Sequence, residues 1–125
     1  MDAFIDTSIL IGIAFDEERA AELARRLETF RTVAASGLLE AEFRSACHRE
    51  RRPVDEVLLR NLEWVAPARP LRAEIAKVLG AGYLRGADCW HLATALYLAP
   101  QPAQLTFLTL DLRQQEIAVA LGFTT

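Results

Sequence analysis

The chain has 125 residues, a formal charge of −3, 52% apolar residues and 25% charged ones. That is the length of one domain. It buries roughly two-thirds of its unfolded surface, and the apolar share excludes a disordered chain. The acidic balance argues against a surface that attracts nucleic acid by overall charge. No apolar run approaches the ~20 residues of a membrane span, and no secretory leader precedes the first segment, so a cytoplasmic protein is expected.

Residues 2–6 read as a strand, because the apolar run Ala3-Phe4-Ile5 reaches Asp6 and stops. Thr7 and Ser8 follow, and Ile9 to about Ala14 continue as a short helix. Asp16-Glu17-Glu18 resembles the acidic first turn of a second helix reaching about Phe30, with Ala20, Leu23, Ala24 and Leu27 at helical spacing. Thr32-Val33-Ala34-Ala35 is a short strand ended by Ser36-Gly37, and a third helix covers Leu38 to Arg51. Pro53 opens a fourth helix ending near Trp64, Val65-Ala66 forms a third, very short strand, and Pro67 and Pro70 mark a loop. Leu71 to Tyr83 is a fifth helix weakened at its end by Gly80 and Gly82. Gly86 precedes a sixth, Ala87 to Ala99, which Pro100 and Pro102 stop. Leu105 to Leu110 is a strand ended by Asp111. The last helix runs to Leu121, Gly122 closes it, and Phe123-Thr124 can form a terminal edge strand.

This alternation predicts an α/β fold of three layers, α/β/α, around a mostly parallel sheet of about four to five strands with right-handed crossovers. The strands over 2–6 and 105–110 both end in Asp followed by a helix. Parallel pairing therefore brings Asp6 and Asp111 to one sheet edge, the edge at which α/β proteins bind ligands.

Each carboxylate also has an ordinary reading. Asp6 is a favoured helix N-cap residue, and Asp111 suits the same role with Gln114 at the capping-box position. Asp88 lies in the first turn of an apolar helix, where the dipole favours an anion. His91, three residues on, is either a packed, hydrogen-bonded residue or a ligand. Glu42 shares a helical face with Leu38, Leu39, Ser45 and Ala46, whereas Glu40 sits four residues before Arg44 as a solvent-side pair would. A carboxylate on a packing face is costly unless a cation or hydrogen-bond donors meet it, and the candidate partners are a nearby Arg or a metal. Gathered carboxylates repel and raise each other's pKa. Mg²⁺ or Mn²⁺, which prefer oxygen ligands, relieve that repulsion. One such ion, or a pair about 4 Å apart, activates water and clamps a phosphodiester.

No glycine-rich phosphate loop is present. Cys47 and Cys89 match no zinc spacing and read as small buried apolar residues. Trp64, Trp90 and the phenylalanines read as core.

Together these residues resemble the PIN-domain family, and within it the VapC-type toxin ribonucleases of bacterial and archaeal toxin–antitoxin pairs. The stretches that carry the resemblance are Phe4-Ile5-Asp6-Thr7-Ser8, Ser36 with Glu42, and Arg85-Gly86-Ala87-Asp88-Cys89-Trp90-His91-Leu92-Ala93-Thr94-Ala95. Leu108-Thr109-Leu110-Asp111 and Leu121-Gly122-Phe123 complete them, in order over essentially the whole chain.

The resemblance implies a single PIN domain over 1–125 and a Mg²⁺- or Mn²⁺-dependent endoribonuclease with Asp6, Glu42, Asp88 and Asp111 as its acidic, catalytic positions. Asp6 and Asp88 are then the principal metal ligands, with Glu42 and Asp111 acting directly or through water. Thr7, Ser8 and Thr109 would hydrogen-bond the carboxylates or a water. It further implies an RNA substrate, a homodimer and a partner antitoxin that fills the acidic pocket with a basic side chain. Arg44, Arg49, Arg51 and Arg52 form a candidate substrate-positioning strip, or else a solvated helix end.

Two other readings compete. One is a catalytically silent module that binds a basic protein partner through the acidic pocket, although retention of all four acidic residues favours the enzyme. The other is a phosphoacceptor receiver domain. It needs a Lys after a late strand, whereas Lys77, the only lysine, falls in a mid-chain helix.

Overall fold

The computed structural model describes residues 1–125. Strands β1 (Asp2–Ile5), β2 (Val33–Ser36), β3 (Glu63–Val65) and β4 (Leu105–Leu108) form one sheet in the order β3-β2-β1-β4, and every pairing is parallel. The register sets Phe4 beside Ala34 on one side and Phe107 on the other. A single parallel bridge from Thr106 to Thr124 extends the β4 edge, which is all that forms of the terminal edge strand.

The helices are α1 (Thr7–Ala14), α2 (Ala20–Glu28), α3 (Gly37–Arg49), α4 (Glu56–Arg60), α5 (Arg72–Ala81), α6 (Gly86–Leu98) and α7 (Leu112–Leu121). Alternation along the strands sorts the core into two halves. Phe4, Ala34, Leu105 and Phe107 face Val78, Leu92, Leu96, Ile117 and Phe123, from α5, α6, α7 and the C-terminus. Ala3, Ile5, Ala35 and Leu108 face Leu10, Leu23, Leu39 and Phe43, from α1, α2 and α3. The sheet is thus the middle of three layers. Phe107 lies between Phe4 and Phe123, with ring centroids 5.8 Å apart in both pairs. No helix is long and apolar enough to cross a membrane.

Three expectations need correction. No helix spans 53–64. Asp55 caps the five-residue α4 by accepting from the Val57 and Leu58 N–H groups, and Glu63-Trp64-Val65 leave it to pair with Ala34-Ala35-Ser36. Sheet pairing outweighs the weak helical bias of that segment. Trp64, on this edge strand, is 38% exposed and lies outside the core. The second helix begins at Ala20, after a turn with Asp16 at φ 52°, so Asp16-Glu17-Glu18 precede it. At the chain's end, Gly122 closes α7 at φ 101°, a left-handed conformation suited to glycine.

Candidate active site

The sheet topology decides where the site falls. The chain leaves β1 toward β2 on one side, and β4 returns on the other, so successive connections diverge at β1 and β4. Ligand crevices form at such a switch point, outside the carboxyl ends of the strands. Asp6 follows β1, Ser36 ends β2, and Thr109 follows β4, all on that edge.

Asp6 is 4% exposed. It caps α1 with extended backbone geometry, its Oδ1 accepting from the Ser8 N–H at 3.1 Å. The cap reading is therefore correct, yet it accounts for only part of what the carboxylate does. Ser8 Oγ donates to Oδ1 at 2.6 Å, and Thr109 Oγ1 donates to Oδ2 at 2.6 Å. Ser8 Oγ in turn accepts from the Leu110 N–H at 2.9 Å, and Thr109 Oγ1 accepts from the Asp111 N–H at 3.0 Å. Two hydroxyls thus lace the β1–α1 turn to the β4–α7 turn. Burial raises the Asp6 pKa, the Ser8 and Thr109 hydrogen bonds lower it in part, and the negative charge of Asp88 adds to the rise.

Asp88 stands in the first turn of α6, half-buried. Its pKa is also raised, first by burial and then by the charge of Asp111, with a smaller push from Glu42. His91 and Arg85 oppose that rise. No hydrogen-bond donor from the protein relieves this carboxylate. Asp111 is an exposed N-cap whose Oδ1 accepts from the Gln114 N–H at 3.0 Å. Gln114 does not complete a capping box. Its buried side chain donates to the Asp88 carbonyl at 3.2 Å and so ties α7 to α6.

Glu42, on α3, has partners other than the expected arginine or metal. Thr7 Oγ1 donates to its Oε1 at 2.6 Å, and His91 Nε2 lies 2.9 Å from the same oxygen. His91 is 1% exposed, and its Nδ1 lies 3.0 Å from Ser36 Oγ. His91 is thus a packed, hydrogen-bonded residue, and its two ring nitrogens bind residues 55 and 49 positions away. Ser36, His91 and Gln114 belong to the site and carried little signal in the sequence. Ser36 stood in a recognised stretch without a role, and Gln114 pointed only to a cap.

The candidate arginines differ in their engagements. Arg44 reaches Glu40 at 2.8 Å and Glu56 at 2.8 and 3.0 Å. Arg49 pairs with Glu50 at 3.0 Å, and Arg52 lies over the Phe15 ring. Arg51 is exposed, at φ 53°. Cys47 and Cys89 are free and buried.

The charge effects link the acidic groups in a chain, since Asp6 feels Asp88 and Asp88 feels Asp111 and Glu42. No three His, Cys, Asp or Glu side chains close into a ready ligand set. The donors nevertheless suit a hard divalent cation. They are carboxylate oxygens, Asp88 lacks a hydrogen-bond donor, and Glu42 offers Oε2 while both of its bonds go to Oε1. Mg²⁺ usually takes one or two carboxylates and keeps several waters, so it does not need a closed cage.

No match was found among curated proteins. The family model described as "PIN domain" matches residues 3–120, which takes in all four acidic positions and the whole sheet but for the first residue of β1. With that span, and with the parallel sheet and the acidic edge described above, the chain belongs to the PIN-domain family.

Proposed function

We propose that this protein is a Mg²⁺- or Mn²⁺-dependent endoribonuclease, and that it serves as the toxin of a type II toxin–antitoxin pair in the cytoplasm. PIN domains are in general metal-dependent nucleases, which supports the reaction class. The observation that carries the reading is the linkage of Asp6, Glu42, Asp88 and Asp111 by charge at one sheet edge, with two of the four held above the ordinary carboxylate pKa.

Asp6 and Asp88 would hold the cation, with Glu42 and Asp111 completing the pocket directly or through water. When bound, the cation makes a water nucleophilic near neutral pH and offsets charge on the phosphodiester. The remaining work falls to the chain itself. Ser8 and Thr109 keep Asp6 oriented with two short hydrogen bonds. Thr7 holds Glu42. The α6 dipole favours the ionised form of Asp88.

A strip of Arg49, Arg51 and Arg52 beyond Glu42 would position the RNA backbone without reading its sequence, while Arg44 is committed to Glu40 and Glu56. Arg51, which has neither ion pair nor aromatic contact, is the member best placed to meet a phosphate. A homodimer, and an antitoxin that sets a basic side chain among the carboxylates, complete the proposal. Both rest on the sequence resemblance.

The test is to incubate purified protein with transfer, ribosomal and messenger RNA in Mg²⁺ or Mn²⁺ and map the products. Discrete internal cuts are expected. Intact RNA in every case, or stepwise trimming from an end, contradicts the proposal. The toxin role requires growth arrest on expression that a neighbouring small reading frame relieves.

A further inference from the structure

Ser36 and His91 are buried polar groups that the proposed reaction leaves without a task, being 0% and 1% exposed, and Thr7, which holds Glu42, is 8% exposed beside them. They form a continuous chain at the sheet edge. Ser36 Oγ meets His91 Nδ1 at 3.0 Å, and His91 Nε2 meets Glu42 Oε1 at 2.9 Å. Thr7 Oγ1 donates to that same oxygen at 2.6 Å. The order hydroxyl, imidazole, carboxylate matches a nucleophilic triad, but Ser36 is sealed from solvent and no substrate can reach it.

An ionised carboxylate only accepts, so His91 Nε2 carries the hydrogen, and in the neutral ring Nδ1 accepts from the Ser36 hydroxyl. Burying an imidazole costs less when both nitrogens are bonded, and here both are. Two donors on Oε1 pin Glu42 by one oxygen and leave Oε2 without a donor from the protein.

We infer that His91 is a positioning residue for Glu42: Ser36 sets its ring, its Nε2–H fixes Oε1, and Oε2 is thereby held ready for the divalent cation. The kinetic consequence rests on the nuclease reading, whereas the orienting role does not. Metal sites commonly depend on such outer partners, whose loss costs about 10–100-fold in affinity or activity.

The experiment uses the full chain, ¹³C-labelled at glutamate, with the Glu42 side-chain signal assigned from Glu42→Gln. Side-chain relaxation is measured without metal for wild type, His91→Leu, His91→Gln and Ser36→Ala. Glu42 is expected to be ordered in wild type and averaged among rotamers in His91→Leu. In His91→Gln, which keeps an N–H donor, most of the order should return.

Mn²⁺ affinity, read by water-proton relaxation, should fall about 10–100-fold in His91→Leu, with kcat falling alike and KM for RNA held within about twofold. A Glu42 as ordered in His91→Leu as in wild type overturns the inference, whatever the cleavage rates. So does equal loss of activity in His91→Leu and His91→Gln with Glu42 still fixed. If His91→Leu does not fold, Ser36→Ala decides, because it keeps the ring and removes one bond; unchanged Glu42 order there is equally fatal. A wild type that neither binds Mn²⁺ nor cuts RNA defeats the nuclease reading, while Glu42 relaxation still decides this one.

Discussion

Thr109 and Asp6 are 103 residues apart in sequence and 2.6 Å apart in space, the Thr109 hydroxyl donating to Asp6 Oδ2. The same hydroxyl oxygen accepts from the Asp111 N–H at 3.0 Å. One side chain thus orients a buried acid and shapes the turn that presents another. Thr109→Val keeps the shape and removes the hydroxyl. It should cost about 1–3 kcal/mol through the groups left unpaired, and it should slow RNA cleavage more than Thr109→Ser does. Chemical denaturation and single-turnover kinetics on the two variants measure both effects. Equal cleavage by Val and Ser variants would show that the hydroxyl has no part in the site.

Stability without metal should depend on pH in a direction set by Asp6 and Asp88. Their carboxyls are held above the ordinary 3.8. The folded state therefore binds those protons more tightly than the unfolded chain does, and stability rises as pH falls from neutrality through the raised values. Glu74 works the other way. Arg69 holds it down to about 2, so its contribution is full above the ordinary 4.5 and is lost as pH falls below it. Calorimetry in EDTA should show a stability maximum at mildly acid pH. Asp6→Asn should flatten the rise toward that maximum and increase the melting temperature at neutral pH. Added Mg²⁺ should raise the wild-type melting temperature and not that of Asp6→Asn.

Much of this site is visible in the chain because its acids sit at element boundaries. Asp6 and Asp111 follow apolar runs, and Asp88 opens an apolar helix, so strand ends and helix starts could be read locally. Glu42 was marked by its helical face alone. Thr7 was expected to bond a carboxylate, but its pairing with Glu42, and that of His91, were not legible, since the two lie 35 and 49 residues away and no local spacing encodes such a pairing. The parallel sheet followed from alternation. The third strand was legible at Val65, but its start at Glu63-Trp64 was not, because those residues have meaning only beside Ala34-Ala35.

The fold should be sensitive at Phe107, which is 1% exposed and packed between Phe4 and Phe123. Phe107→Ala should destabilise by about 3–5 kcal/mol. Because Phe107 contributes no polar group to the acidic edge, whatever folded protein remains should keep its cation affinity. Urea unfolding together with Mn²⁺ titration checks this.

Arg44 and Arg51 should behave differently toward RNA. Arg44 is committed to Glu40 and Glu56, whereas Arg51 is exposed and unpaired. Arg51→Ala should weaken RNA binding and reduce the salt dependence of log K by about 0.7, the value for one phosphate on a single strand. Arg44→Ala should leave that slope unchanged. Binding isotherms at several salt concentrations distinguish the two, and equal slopes for both variants would remove Arg51 from the strip.

The most direct test of the acidic edge as a cation-dependent catalytic centre is RNA cleavage by purified wild-type protein and Asp6→Asn, each with Mg²⁺, Mn²⁺ or EDTA. Wild type should cut in either metal and stop in EDTA, and Asp6→Asn should be folded and inert throughout. Cutting that persists in EDTA, or an Asp6→Asn protein as active as wild type, would contradict it.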